Sequence, residues 1–263
     1  MPYNYNMKPF LAVVVLLGCY ELSHAGLLDE LGLGKKGTNQ TPALSSGLPG
    51  LSQDQMVQGL KEALSKGVQA AVSNLGHDGG FLTNLNVKIP MPAKLRSVEK
   101  TLHTLKQDQL ADDFVNTMNH AAEQAVPEAA DVFGDAIRQM SIADAKTILT
   151  GTNNAATQYF RRVTQTNLFE RFLPIVKAAT DKTGVTATYK KMMGSVSGSS
   201  SFGGLLSGSG LLKSEDFDVD RYVTNKAMDG LFLMVAAEEK HIRENPVARS
   251  TELLQKVFGS VSK

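Results

Sequence analysis

The chain is short of the residues that usually announce a chemistry. It holds one cysteine and no tryptophan in 263 residues, and aromatic side chains make up only 6% of it. One cysteine allows no intramolecular disulfide, so the fold rests on its core, unlike small disulfide-stapled secreted domains. The scarcity of aromatics argues against stacking recognition of sugars or bases. Neither sign of charge dominates: 27 Lys and Arg face 26 Asp and Glu, a formal net charge of +1. That balance gives no electrostatic case for nucleic acid or an anionic lipid surface as partner. A membrane-spanning run is also missing, since the stretch Phe10–Leu17 is far shorter than the roughly 20 apolar residues a bilayer requires.

What is present begins with that short run. Lys8 followed by Phe10–Leu17 has the order of a secretory signal peptide, a cation and then a brief apolar core. Two processing sites fit it. Ser23-His24-Ala25 presents small residues at the two positions a signal peptidase reads and would release a soluble chain from Gly26. Leu16-Leu17-Gly18-Cys19 resembles a lipobox, in which Cys19 becomes acylated and tethers the product to a membrane. Either way the expected location is the periplasm or cell envelope, with a lipid anchor as the sole membrane attachment.

Gly26–Leu51 has no sustained period and reads as a tether. From Ser52 the apolar residues fall at helical spacing: Met56, Leu60, Leu64, Val68, Val72 and Leu75. Ser52 with Gln55 forms a capping box, and the Gly76–Gly80 turn ends that helix. Val87–Pro92 is expected to be extended, because a residue before proline avoids the helical region. Leu95, Val98, Leu102 and Leu105 mark a second helix, and Phe114, Val115, Met118, Ala122 and Ala125 a third. Pro127 opens a fourth, and Ser141 with Asp144 caps a fifth that ends at Gly151. Asn154 is expected to cap a sixth, continued by Leu168–Thr183 across Pro174. Val185–Met193 predicts a short seventh. Gly194–Gly210, with thirteen Gly or Ser among seventeen residues, reads as a flexible loop. Asp218 or Asp220 caps the next helix, whose Leu231–Ala237 centre is apolar all round and so is expected to be buried on every side. Pro246 is expected to open the last helix and Gly259 to stop it. The sum is an all-α domain over 52–259, an irregular bundle of about nine helices with no internal repeat.

Several segments carry a resemblance. Phe81-Leu-Thr-Asn-Leu-Asn-Val-Lys-Ile-Pro-Met-Pro92, Ala125-Val126-Pro127-Glu128, Ile148-Leu149-Thr150-Gly151, Ala155–Arg162, Phe172-Leu173-Pro174-Ile175-Val176 and Asp229-Gly230-Leu231-Phe232 resemble, in this order, a bacterial family of exported proteins, the domain of unknown function family 4197. The resemblance implies an envelope location and an all-helical fold. It implies no activity and supplies no catalytic residues.

Two constellations could carry chemistry. Glu238-x-x-His241 puts a carboxylate and an imidazole on one helix face, as in di-iron bundles, but no second such pair accompanies it. The plainer reading is a solvated, charge-laced helix end across Glu238–Glu244, and no metal or cofactor is expected. The turn Thr150, Gly151, Thr152, Asn153, Asn154 leads into a helix bearing Arg161 and Arg162, and its free N–H groups suit an anion. The competing reading is ordinary capping, with the arginines paired to acids such as Asp229 or Glu170. No nucleophile elbow occurs, and no histidine is singled out as a base. Two functions follow from different classes. One is a non-enzymatic envelope protein that binds an apolar ligand or a partner protein in a groove between helices. The other is a hydrolase or other enzyme on an anionic envelope substrate, using Arg161, Arg162 and Asp229 or Glu238.

Overall fold

The computed structural model describes residues 52–197, 217–249 and 251–261. The chain divides into Met1–Ser45 and Ser46–Lys263, and every described residue belongs to the second unit. The expected signal segment with Cys19, the expected tether to Leu51 and loop residues 198–210 lie outside the described residues.

Helix α1 (Gln53–Leu75) starts at the expected capping box: Ser52 Oγ accepts the Gln55 N–H, and Gln55 Oε1 accepts the Ser52 N–H. It ends at Gly76. Helices α2 (Arg96–Thr104), α3 (Asp108–Ala125), α4 (Ala129–Gln139) and α5 (Ile142–Thr150) follow. A 3-10 turn over Val126–Glu128 links α3 to α4, with Pro127 where its missing N–H costs nothing. Ser141 and Asp144 form the second capping box. Helix α6 (Ala155–Thr183) runs unbroken through Pro174 and stops at Gly184, whose φ of 77° favours glycine. Helix α7 (Val185–Ser197), α8 (Val219–Glu244), capped by Asp218, and α9 (Glu252–Val261) complete the bundle. The described residues form no strand, and none of their helices is long and apolar enough to cross a membrane.

Helix α6 packs on α3 and α8, and α1 covers α8, α4 and α9. The centre is aromatic: Phe133 lies 4.9 Å from Phe160 and 5.9 Å from Phe232, ring centre to ring centre. Segment 87–92 has no regular structure, yet Val87, Ile89 and Met91 are buried while Lys88 and Pro90 are exposed. That period of two belongs to extended chain. With no sheet to join, the Val87 and Lys88 N–H groups donate to the Asn84 carbonyl, and Ile89 turns to a side chain. Asn119, fully buried on α3, accepts the Ile89 N–H at 2.8 Å and donates to the Ile89 carbonyl at 2.9 Å. Four residues on, Glu123 Oε1 accepts the N–H groups of Phe81 and Leu82. Phe81 can then press on α8 at Gly230, where a Cβ would come 2.7 Å from its ring.

Four sequence expectations are corrected. Helix α7 continues through Gly194 to Ser197, because isolated small residues do not stop a helix until their density rises. The apolar centre of α8 is not buried on every side: Leu231, Phe232 and Val235 face the core, but Leu233 is 48% exposed and Ala237 is exposed. Pro246–Ala248 is only a 3-10 turn, entered where Asn245 Oδ1 accepts the Val247 N–H, and α9 begins at Glu252. Gly259 lies within α9 rather than after it.

Candidate functional site

The α5–α6 turn is where the sequence placed an anion. The first N–H groups of α6 do point at a carboxylate, and it belongs to the protein. Glu239 of α8 accepts the Ala156 N–H at 2.9 Å, and the Thr157 N–H and hydroxyl each at 2.8 Å. Arg243, one turn further along α8, donates to Glu239 Oε1 from Nε at 3.0 Å and from Nη2 at 2.8 Å. Its Nη2 also donates to the Ile148 carbonyl in the last turn of α5. Both side chains are almost entirely buried. The carboxylate meets the positive end of α6 and the guanidinium the negative end of α5, the complement each dipole favours. The stretch Glu238–Glu244 is therefore not solvated throughout, and its Glu239 and Arg243 form the centre of the junction. Their i, i+4 spacing is visible in the sequence, but only the neighbouring α5–α6 turn tells which way they face.

The remaining residues of the turn are held locally. Asn154 sits at the cap position without capping the helix: its Oδ1 accepts from Thr152 Oγ1 and Gln158 Nε2. Thr150 Oγ1 donates back to the Lys146 carbonyl, and Asn153 Nδ2 donates to Glu244. Gly151 is the C-cap of α5.

Arg161 and Arg162 diverge. Arg161 lies over the Phe232 ring, 4.4 Å from its centre, and 3.8 Å from the Asp229 carboxylate. Arg162 turns to Asp144 at 3.2 Å and lies over Tyr159. They end in two open clefts. One, of about 410 Å³, is bounded by Asp144, Thr147, Gly151, Thr152, Tyr159 and Arg162. The other, of about 270 Å³, is bounded by Asn154, Gln158, Arg161, Asp229, Phe232 and Leu233. Glu238 reaches neither and sits 3.9 Å from His241, which is more than half exposed. The groups that the hydrolase reading requires together are thus apart. Burial pushes the Tyr159 hydroxyl above its ordinary range, assisted by Asp144 and opposed by Arg162, and that hydroxyl donates to the Ala136 carbonyl.

A family model described as "Protein of unknown function (DUF4197)" matches residues 50–259. The chain belongs to the DUF4197 family. No curated protein and no solved structure matches it. The segments that carry the DUF4197 likeness are parts of one packed body here. Phe81 of the first lies against Gly230 of the last. Ala156 and Thr157 are the residues that Glu239 caps. Phe160 and Phe172 are fully buried. In this DUF4197 chain the recognisable segments mostly build the core, while Arg161, Arg162 and Asp229 reach its surface.

Proposed function

We propose that this protein is a non-enzymatic binding protein of the cell envelope, and that it takes a partner protein on the cleft between α6 and α8. The location rests on Lys8, the Phe10–Leu17 run and the processing sites at Ala25 and Cys19. The binding surface rests on one observation: Leu233 stands 48% exposed on the outward stripe of α8, between Asp229 and Ala237, in the same cleft as Arg161 and the Phe232 that Arg161 covers. Arginine is among the residues enriched at binding hot spots, and here one is held on a ring beside an exposed aliphatic side chain. A protein partner suits the geometry better than an apolar small molecule. The apolar space enclosed by Leu60, Leu64, Val68, Phe160, Val235 and Phe258 is only about 20 Å³, room for one water.

Site-specific photo-crosslinking from position 233 in envelope extract tests this reading. A discrete crosslinked protein, lost when Arg161→Ala is added, supports it. Capture that is unchanged in Arg161→Ala, or stabilisation by envelope fatty acids with no protein captured, overturns it. Mass spectrometry of the mature N-terminus distinguishes a Gly26 start from an acylated Cys19, and an unprocessed cytosolic chain overturns the location.

A further inference from the structure

Away from the α5–α6 junction, the turn after α1 meets the C-terminal end of α3. Asp78 comes from that turn. His120 and Glu123 lie one helical turn apart on α3 and share a face. His120 Nδ1 is 2.9 Å from Glu123 Oε2 and 3.2 Å from Asp78 Oδ1. The three ligand atoms all lie within 4.8 Å of one another. A search of the sequence for a repeated Glu-x-x-His misses this group, because its order is His-x-x-Glu and its third member is 42 residues upstream of His120.

Two observations separate the group from ordinary surface pairing. The first is the state of Glu123. Its side chain is only 5% exposed, and its Oε1 already accepts the N–H groups of Phe81 at 2.9 Å and Leu82 at 3.1 Å. The carboxylate is fixed in rotation, and Oε2 is aimed at the imidazole, the orienting role that outer hydrogen bonds play around metal ligands. The second is the convergence on one nitrogen. Nδ1 carries at most one proton, which points in one direction, yet two carboxylate oxygens approach it. A cation between them satisfies all three groups at once. Zinc with bonds of about 2.0–2.2 Å sets tetrahedral ligand atoms roughly 3.3–3.6 Å apart, a little more than the 2.9 and 3.2 Å that separate Nδ1 from the two carboxylate oxygens.

We propose that Asp78, His120 and Glu123 form a three-ligand site for a divalent transition-metal ion of the zinc class. One imidazole and two carboxylates form the nitrogen and oxygen donor set that zinc accepts. The fourth position is left to water or to an external ligand. Asp78, at 88% exposure, gives the ion a route in from solvent. The bound ion cross-links the Gly76–Gly80 turn to α3, and through Glu123 it steadies the backbone at Phe81 and Leu82. This departs from the sequence expectation that no metal is involved.

The test is titration of zinc chloride into the chelator-treated full-length chain, followed by calorimetry and by thermal unfolding. One equivalent is expected to bind and to raise Tm. Asp78→Asn, at an exposed position that leaves the fold intact, is expected to weaken binding at least tenfold with an unchanged metal-free Tm. His120→Gln is expected to weaken it at least as much. No saturable binding, or binding of equal strength in both variants, overturns the site.

Discussion

Glu239 and Arg243 form an ion pair at 2.8 Å in which each partner also satisfies a different helix end, the carboxylate the N-terminus of α6 and the guanidinium a C-terminal carbonyl of α5. Such a pair contributes little beyond an apolar replacement of the same shape, but it is costly to break. Removing one member strands a buried charge and frees backbone groups that have no water to turn to.

Glu239→Ala is therefore expected to destabilise the protein by about 3–5 kcal/mol, the range for halving a buried ion pair. Arg243→Met should cost a similar amount. The double variant should cost less than the two combined, because each single change already spoils the partner. Urea unfolding of the four proteins measures the coupling. Strict additivity would show that the two side chains act independently.

Asn119→Ala should loosen one segment more than it weakens the whole. The variant leaves the Ile89 N–H and carbonyl without partners in a buried setting, at roughly 1–3 kcal/mol. Hydrogen exchange is the direct readout. The Ile89 amide should lose protection by more than the α6 amides do, since Asn119 is its acceptor and α6 relies on its own ladder.

Gly230→Ala pits two effects against each other. Alanine is favoured over glycine in a helix interior by up to about 1 kcal/mol. The added Cβ, however, would lie 2.7 Å from the Phe81 ring and 3.2 Å from Val87 Cβ. Overpacking of this kind costs about 1–3 kcal/mol, so the net change is expected to be a lower Tm. Phe81→Leu in the same chain should recover part of the loss. A raised Tm for the single variant would mean that the 81–87 turn yields without cost.

These cases show what is legible in a sequence and what is not. The Ser52/Gln55 and Ser141/Asp144 capping boxes are local, decided within four residues, and they form as read. The helical core follows from periodicity, and the extended 87–92 segment from its two prolines. Pairing of Arg161 with Asp229 could be anticipated, because a polar residue beside an apolar helix centre needs a partner. Direction could not. Leu233 and Leu231 are the same residue type in the same run, yet one is exposed and the other buried. Glu238 and Glu239 are neighbours, and only Glu239 meets α6. The Asp78–His120–Glu123 group was hidden for the same reason. Its members are brought together by the packing of a turn on a helix, not by any spacing along the chain.

The alkaline limit of stability should depend on Tyr159. Burial holds its hydroxyl neutral to higher pH than in the unfolded chain, and it donates to the Ala136 carbonyl at 3.0 Å. Below pH 10 the tyrosine is protonated in both states and contributes no slope. Above it the unfolded chain releases the proton first, so fewer protons are bound there than in the native state and stability falls as pH rises. Tyr222 adds to the same limb, since burial raises it too and its hydroxyl donates to the Pro90 carbonyl. Tyr159→Phe should lower stability at pH 7 by about 1 kcal/mol through the lost hydrogen bond, yet flatten the decline above pH 10. The variant and wild-type curves should therefore converge as pH rises. Parallel curves between pH 9 and 11.5 would show that the Tyr159 hydroxyl titrates alike in the folded and unfolded chains.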